Sequence, residues 1–202
     1  MIGFNCNIQE QLVLFEEIIR KNNRLMEVLN VLENYSKSNP NFRNYYVGAG
    51  SVNQTVFNYL SNNELDYGIK DFDIVYYDCD LSYEAEDKII KDLELLFKDK
   101  QILFDIKNEA RVHIWYNEKY EDKREPYTSC EDAISKWGAT VTCIGIRLED
   151  NKLITFCPYG LNDLFSMTIR PVKTYFIKKQ YEERANRWLK KWPNLKVISW
   201  DE

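Results

Sequence analysis

Lys70-Asp71-Phe72-Asp73-Ile74-Val75-Tyr76-Tyr77 is the stretch on which the reading of this chain turns. Two carboxylates separated by one apolar residue, in a run of Phe, Ile, Val and Tyr, predict a β-strand with both acids on one face. Side chains two apart on a strand leave the backbone roughly 6 to 7 Å from one another, close enough to hold one divalent cation or share two. A third acid, in Phe104-Asp105-Ile106, lies on the next predicted strand and completes a carboxylate triad if the two strands are neighbours. Upstream, Tyr45-Tyr46-Val47 reads as a short strand running into Gly48-Ala49-Gly50-Ser51 and then a helix. A helix N-terminus behind small residues presents free backbone N–H groups and a positive dipole end, which suits a triphosphate.

Strands and helices alternate around this centre. Residues Ile8 to about Tyr35 carry apolar side chains at helical spacing, as one long helix or two broken at Lys21-Asn22-Asn23. Ser51 with Gln54 forms a capping-box pattern, so the next helix is expected to start there with Val52, Val56 and Leu60 on its buried face. Ser61 to Lys70 is an irregular link to the aspartate strand. Ser82 is expected to cap a helix with Ile89, Leu93, Leu96 and Phe97 inward. Gln101 to Lys107 and Arg111 to Tyr116 read as strands, the second placing Arg111 and His113 on one sheet face beside Asp105. Ser129 with Asp132 caps a short helix through Trp137. Val141–Leu148 and Lys152–Cys157 form a hairpin around Glu149-Asp150-Asn151. Gly160–Thr168 and Thr174–Lys191 are helical. The class is α/β (α+β), a small mixed central sheet flanked by helices, divided as an N-terminal helical extension (1–40), a core (41–125) and a C-terminal part packed on it (126–202).

The chain has 202 residues and five prolines, with 14 tyrosines and five tryptophans making it aromatic-rich. That length supports one substantial core without staples. A net charge of −5 argues against nonspecific nucleic-acid binding by the whole surface, though not by a local patch. Cys6, Cys79, Cys130, Cys143 and Cys157 are scattered and match no zinc or redox spacing, so most are expected to be buried thiols in a reducing compartment. With no basic leader and no membrane-length apolar run, the expectation is a cytoplasmic protein without membrane contact.

The order of Gly-Ser turn, Asp-x-Asp strand and later acid resembles the nucleotidyltransferase superfamily typified by DNA polymerase β. Gly48–Val56, Gly68–Asp73, Asn108–Tyr116 and Pro158–Phe165 are similar to phrases of one bacterial branch of nucleotidyltransferase family proteins, a likeness that runs from about Tyr45 to Pro193. The resemblance implies the polymerase β-like fold with the site at one sheet edge. Here Ser51 and Asp71 stand further apart than the superfamily's usual separation of about a dozen residues, with Asn62 to Ile69 as extra loop that would shape or cover the pocket.

An Asp-x-Asp strand is also compatible with a solvated sheet face. Three clustered acids, however, would repel one another unless a cation or raised pKa values accompanied them. The leading expectation is a Mg²⁺-dependent (or Mn²⁺-dependent) enzyme that moves a nucleoside monophosphate from an NTP to an acceptor hydroxyl and releases pyrophosphate. Asp71, Asp73 and Asp105 would hold metal, and Asp105 would help deprotonate the acceptor. Gly50 and Ser51 would face phosphate, Arg111 would clamp it, and Lys70 and Lys107 would flank the acids. His113, the single histidine, fits a packing or orienting role at least as well. The acceptor is not legible: tRNA, a protein, a sugar or a small molecule all remain. Arg170 to Lys196 holds nine basic residues interleaved with aromatics, either a surface for a polyanion or an amphipathic helix with solvated cations. Two other classes stay open, a nucleotide-binding or partner-binding protein without turnover and an RNA-binding module using that stretch.

Overall fold

The computed structural model describes residues 2–120 and 123–202. Its sheet is built from β1 (Tyr45–Gly48), β2 (Phe72–Tyr76), β3 (Phe104–Asn108), β4 (Gly145–Glu149) and β5 (Lys152–Phe156), in the order β3-β2-β1-β4-β5. Strand β1 runs antiparallel to both β2 and β4, β4 to β5 is antiparallel, and β2 and β3 are parallel. The sheet is therefore mixed, and β1, Tyr-Tyr-Val-Gly, is buried along its whole length at the centre.

Four helices come from the first half of the chain: α1 (Ile8–Lys21), α2 (Asn23–Ser38), α3 (Ala49–Leu60) and α4 (Tyr83–Phe97). The parallel β2–β3 pair requires a crossover, and α4 supplies it. Phe72, Ile74 and Tyr76 of β2 share one core with Val47, Ile106 and Ile146 of the other strands and with Phe15, Ile19, Val28 and Leu32 of the N-terminal helices. Each such side chain contributes about 1.5–3 kcal/mol by leaving water. The opposite face carries Asp73, Val75, Asp105 and Lys107.

Helices α1 and α2 are separate, and Asn22 is the reason. Its Oδ1 accepts from Leu25 N at 3.1 Å, capping α2, while its Nδ2 donates to Thr55 Oγ1 at 2.8 Å and Leu65 O at 3.2 Å. Asn58 of α3 donates to Leu65 O and Tyr67 O and accepts from Trp192 Nε1 at 2.9 Å. The 62–69 loop is thus pinned to buried amides. Gly68 continues from it into the wall of a groove, so the loop shapes the site rather than covering it.

The later elements are α5 (Val112–Tyr120), α6 (Cys130–Ile134), α7 (Asn162–Phe165), α8 (Lys178–Leu189) and a parallel pair, β6 (Thr168–Ile169) with β7 (Lys196–Val197), which the sequence reading did not anticipate. Asp150 and Asn151 take φ of 48° and 61°, the left-handed values that a tight two-residue hairpin turn needs and that short polar side chains tolerate. Several expectations are corrected. Helix α3 starts at Ala49, with Gly48 as N-cap and no side-chain cap, so Ser51 lies inside the helix. Segment 111–116 is helical, because Asn108 caps a 3₁₀ turn, Glu109–Arg111, that ends β3 and leads into α5. Strand β3 begins at Phe104, not Gln101, and Val141 to Ile144 precede β4 as a turn and a short irregular link. Leu96 is exposed, unlike its predicted neighbours on α4. Of the five cysteines only Cys130 and Cys143 are buried. Among the described residues no helix is long and apolar enough to cross a membrane.

Candidate active site

Register brings the acids together. Asp73 is the direct Cα partner of Asp105 across the parallel pair, and on its other side Asp73 faces Gly48 of β1. Asp71, two residues before Asp73, lines the same cleft as both. The cleft has a volume of about 440 Å³, and its floor is the polar sheet face with Ala49 and Gly50 at the entry to α3. Ala49 has φ of 49°, an uncommon value for a residue with a Cβ, and it redirects the chain from strand to helix. Gly48 is required by close approach: a Cβ there would lie 2.7 Å from Ile144 O and from the Trp137 ring, which forms part of the cleft wall.

The electrostatics are those of crowded acids only partly compensated by cations. Burial raises the Asp73 carboxyl to about 6, the charges of Asp71 and Asp105 add to that, and hydrogen bonding to the Gly50 backbone with the Arg184 guanidinium opposes it. Asp105 is paired with Lys107 at 2.5 Å. Glu109, 4% exposed, is pushed up to about 8 by burial against the pull of Arg124 and Lys107. Burial lowers Arg184 from the ordinary arginine value, and the charge of Asp73 works the other way.

Hard carboxylate oxygens suit Mg²⁺ or Mn²⁺. Among the described residues no three acidic, histidine or cysteine side chains form a ready cage for an ion. Mg²⁺ is ordinarily held by one or two carboxylates together with substrate phosphates rather than by an all-protein cage. An acidic pair at matched register on the floor of an open cleft fits that mode.

The expected ligands divide into two groups. Gly50 lines the cleft with the three aspartates, and Lys107 lies among them. Lys70 is exposed and lies with Asp71 in an adjoining groove of about 500 Å³, walled by Gly68, Arg187, Lys190 and Lys191. Ser51 is fully buried and its hydroxyl donates to Gly48 O at 3.0 Å, so it does not reach the cleft. Arg111 is also elsewhere: it pairs with Glu86 and donates to Leu81 O at 3.0 Å, tying the 3₁₀ turn before α5 to α4. His113 is half-buried outside the cleft lining, with Nδ1 buried and unpartnered.

Sequence reasoning missed Glu109, Arg124, Arg184 and Arg187 as site residues. Part of the signal was available, since Val112, Trp115 and Tyr116 all line the cleft and stand at i, i+3 and i+4, a helical stripe rather than strand alternation. Arg184, Arg187 and Trp188 show the same spacing on α8. The basic C-terminal stretch therefore divides, two of its arginines entering the cleft while Lys178 pairs with Asp201 at the surface.

A family profile described as nucleotidyltransferase matches residues 37–197, and the chain belongs to that family. A solved structure described as "The NMR structure of the protein reveals a CCA-adding enzyme head domain" is similar at 25% identity, with a TM-score of 0.74 over 98% of this chain and 99% of that one. No curated protein matches.

Proposed function

We propose that the protein transfers a nucleoside monophosphate from an NTP to an acceptor hydroxyl with pyrophosphate as the leaving group, where carboxylates of Asp71, Asp73 and Asp105 would hold Mg²⁺ together with the NTP phosphates. The observation that carries this is the Asp73–Asp105 register in a cleft that also contains Asp71 and the start of α3. Family membership and the likeness to a CCA-adding enzyme head domain support nucleotidyl transfer. Bound there, the ion would neutralise charge on the phosphates and on the reacting oxygens.

The chain's own groups do the rest. The adjoining groove shares Gly50, Gln54, Asp71, Arg187 and Trp188 with the cleft and adds Lys70, Lys190 and Lys191. It receives the terminal phosphates and the departing pyrophosphate as a polyanion. Asp105, exposed at the cleft although paired with Lys107, accepts the proton of the attacking hydroxyl. Arg184, poorly hydrated and near Asp73, stabilises charge on the transferred phosphoryl group.

The test is release of pyrophosphate from NTPs incubated with cell extract, followed with Asp73→Asn and Asp105→Asn. Each substitution should reduce transfer by at least about 100-fold while leaving the circular-dichroism spectrum unchanged. Full activity in either variant overturns the metal role. Nucleotide binding without any pyrophosphate release would favour a silent binding protein instead.

A further inference from the structure

The cleft has a second wall that the transfer chemistry leaves unused. Glu109, Val112, Trp115, Tyr116, Arg124 and Tyr127 line it, and none of them belongs to the basic groove. Arg124 is 8% exposed. Its guanidinium lies 3.5 Å from the Tyr116 ring centroid and 4.4 Å from that of Tyr175. Nη1 donates to Tyr127 Oη at 3.2 Å, whereas Nε is buried with no partner. A buried guanidinium donor left unpaired is costly, so the arrangement calls for an acceptor supplied from outside the chain. It calls for a planar one, because the surrounding side chains offer flat apolar surface.

A phosphate tail does not meet those demands. It is neither planar nor apolar, and its natural location is the groove of Lys70, Arg187, Lys190 and Lys191. A nucleobase meets both, with a π-face for stacking and in-plane carbonyl and ring-nitrogen acceptors. Glu109, the buried acid of the same wall, adds hydrogen-bonding capacity that an apolar pocket lacks.

We propose that this wall docks the base of the donor nucleotide, with aromatic side chains stacking on it and Arg124 and Glu109 discriminating among bases through their hydrogen bonds. The assignment rests on the nucleotide-donor reading above and adds the position of the base and the residues that select it. It orients the nucleotide along the cleft, base on the Arg124 side, phosphates on the Gly50 side and the aspartates between.

The experiment is calorimetric titration of the full chain, in Mg²⁺, with the four nucleotides carrying a methylene bridge between the α- and β-phosphates and with inorganic tripolyphosphate. At least one nucleotide should bind about tenfold tighter than tripolyphosphate, and the four should differ among themselves. In Arg124→Lys and in Glu109→Gln the ratio of nucleotide to tripolyphosphate affinity should fall toward one and the spread among bases should collapse. Thermal melts establish that each variant folds, and either one alone decides the matter. The inference is overturned if tripolyphosphate binds the wild type as tightly as every nucleotide, or if a folded variant keeps the wild-type spread. Absence of binding by nucleotides and tripolyphosphate alike would instead sink the nucleotide-donor reading itself, along with this one.

Discussion

Asp73 bears the strain of its neighbourhood, and that strain is measurable. Its carboxyl is raised to about 6 in the folded chain against 3.8 for the ordinary group. A carboxyl with a raised folded pKa adds no penalty where both states are protonated, so the cost is absent below about pH 4, grows between about pH 4 and 6, and is complete above that. In chelator-treated protein, Asp73→Asn should melt higher than the wild type at pH 8, by about 2–4 °C per kcal/mol relieved, and match it at pH 4. Mg²⁺ should raise the wild-type melting temperature at pH 8 and leave the variant unmoved. A wild type more stable than the variant at pH 8 without metal would contradict the assigned burden. The three aspartates were legible because strand alternation is a local signal and parallel register then aligned two of them. Arg124 and Arg184 were not, since their place in the cleft depends on Tyr175 and on Asp73 respectively, each far away in sequence.

Element identity decided three further residues. Ser51 reads as a helix cap from its spacing to Gln54, yet the chain enters α3 two residues earlier through the left-handed Ala49, which turns the hydroxyl inward to Gly48. Ser51→Ala should therefore cost about 1 kcal/mol in denaturant unfolding and leave tripolyphosphate affinity untouched. A tenfold loss of that affinity would restore the phosphate role. Arg111 and His113 were misassigned because Arg-Val-His-Ile alternates, a pattern too short to separate strand from helix. The deciding side chain is Asn108, which accepts from Asp78 N and Ala110 N at 3.1 Å each and closes the strand. Elements with a cap or turn of their own were readable: Ser82 accepts from Ala85 N, Ser129 from Asp132 N, and Asp150-Asn151 forms the hairpin turn.

At the scale of the molecule, charge is sorted against the overall balance. A chain of net charge −5 gathers Lys70, Arg187, Lys190 and Lys191 around one groove beside its acidic cleft. Crowding lowers Lys191: burial is the main cause, with Lys70 and Arg187 adding to it. Tripolyphosphate binding should weaken steeply with salt, and Arg187→Ala with Lys190→Ala should flatten that dependence. A slope unchanged by the double substitution would remove the groove from the reading. The whole molecule also governs when any of this exists. Because β2 and β3 are parallel, Asp73 and Asp105 meet only after a full helical crossover has returned the chain to its own sheet. The meeting of these two carboxylates is thus a property of the finished fold, and a nascent or half-assembled chain carries its acids as ordinary solvated side chains.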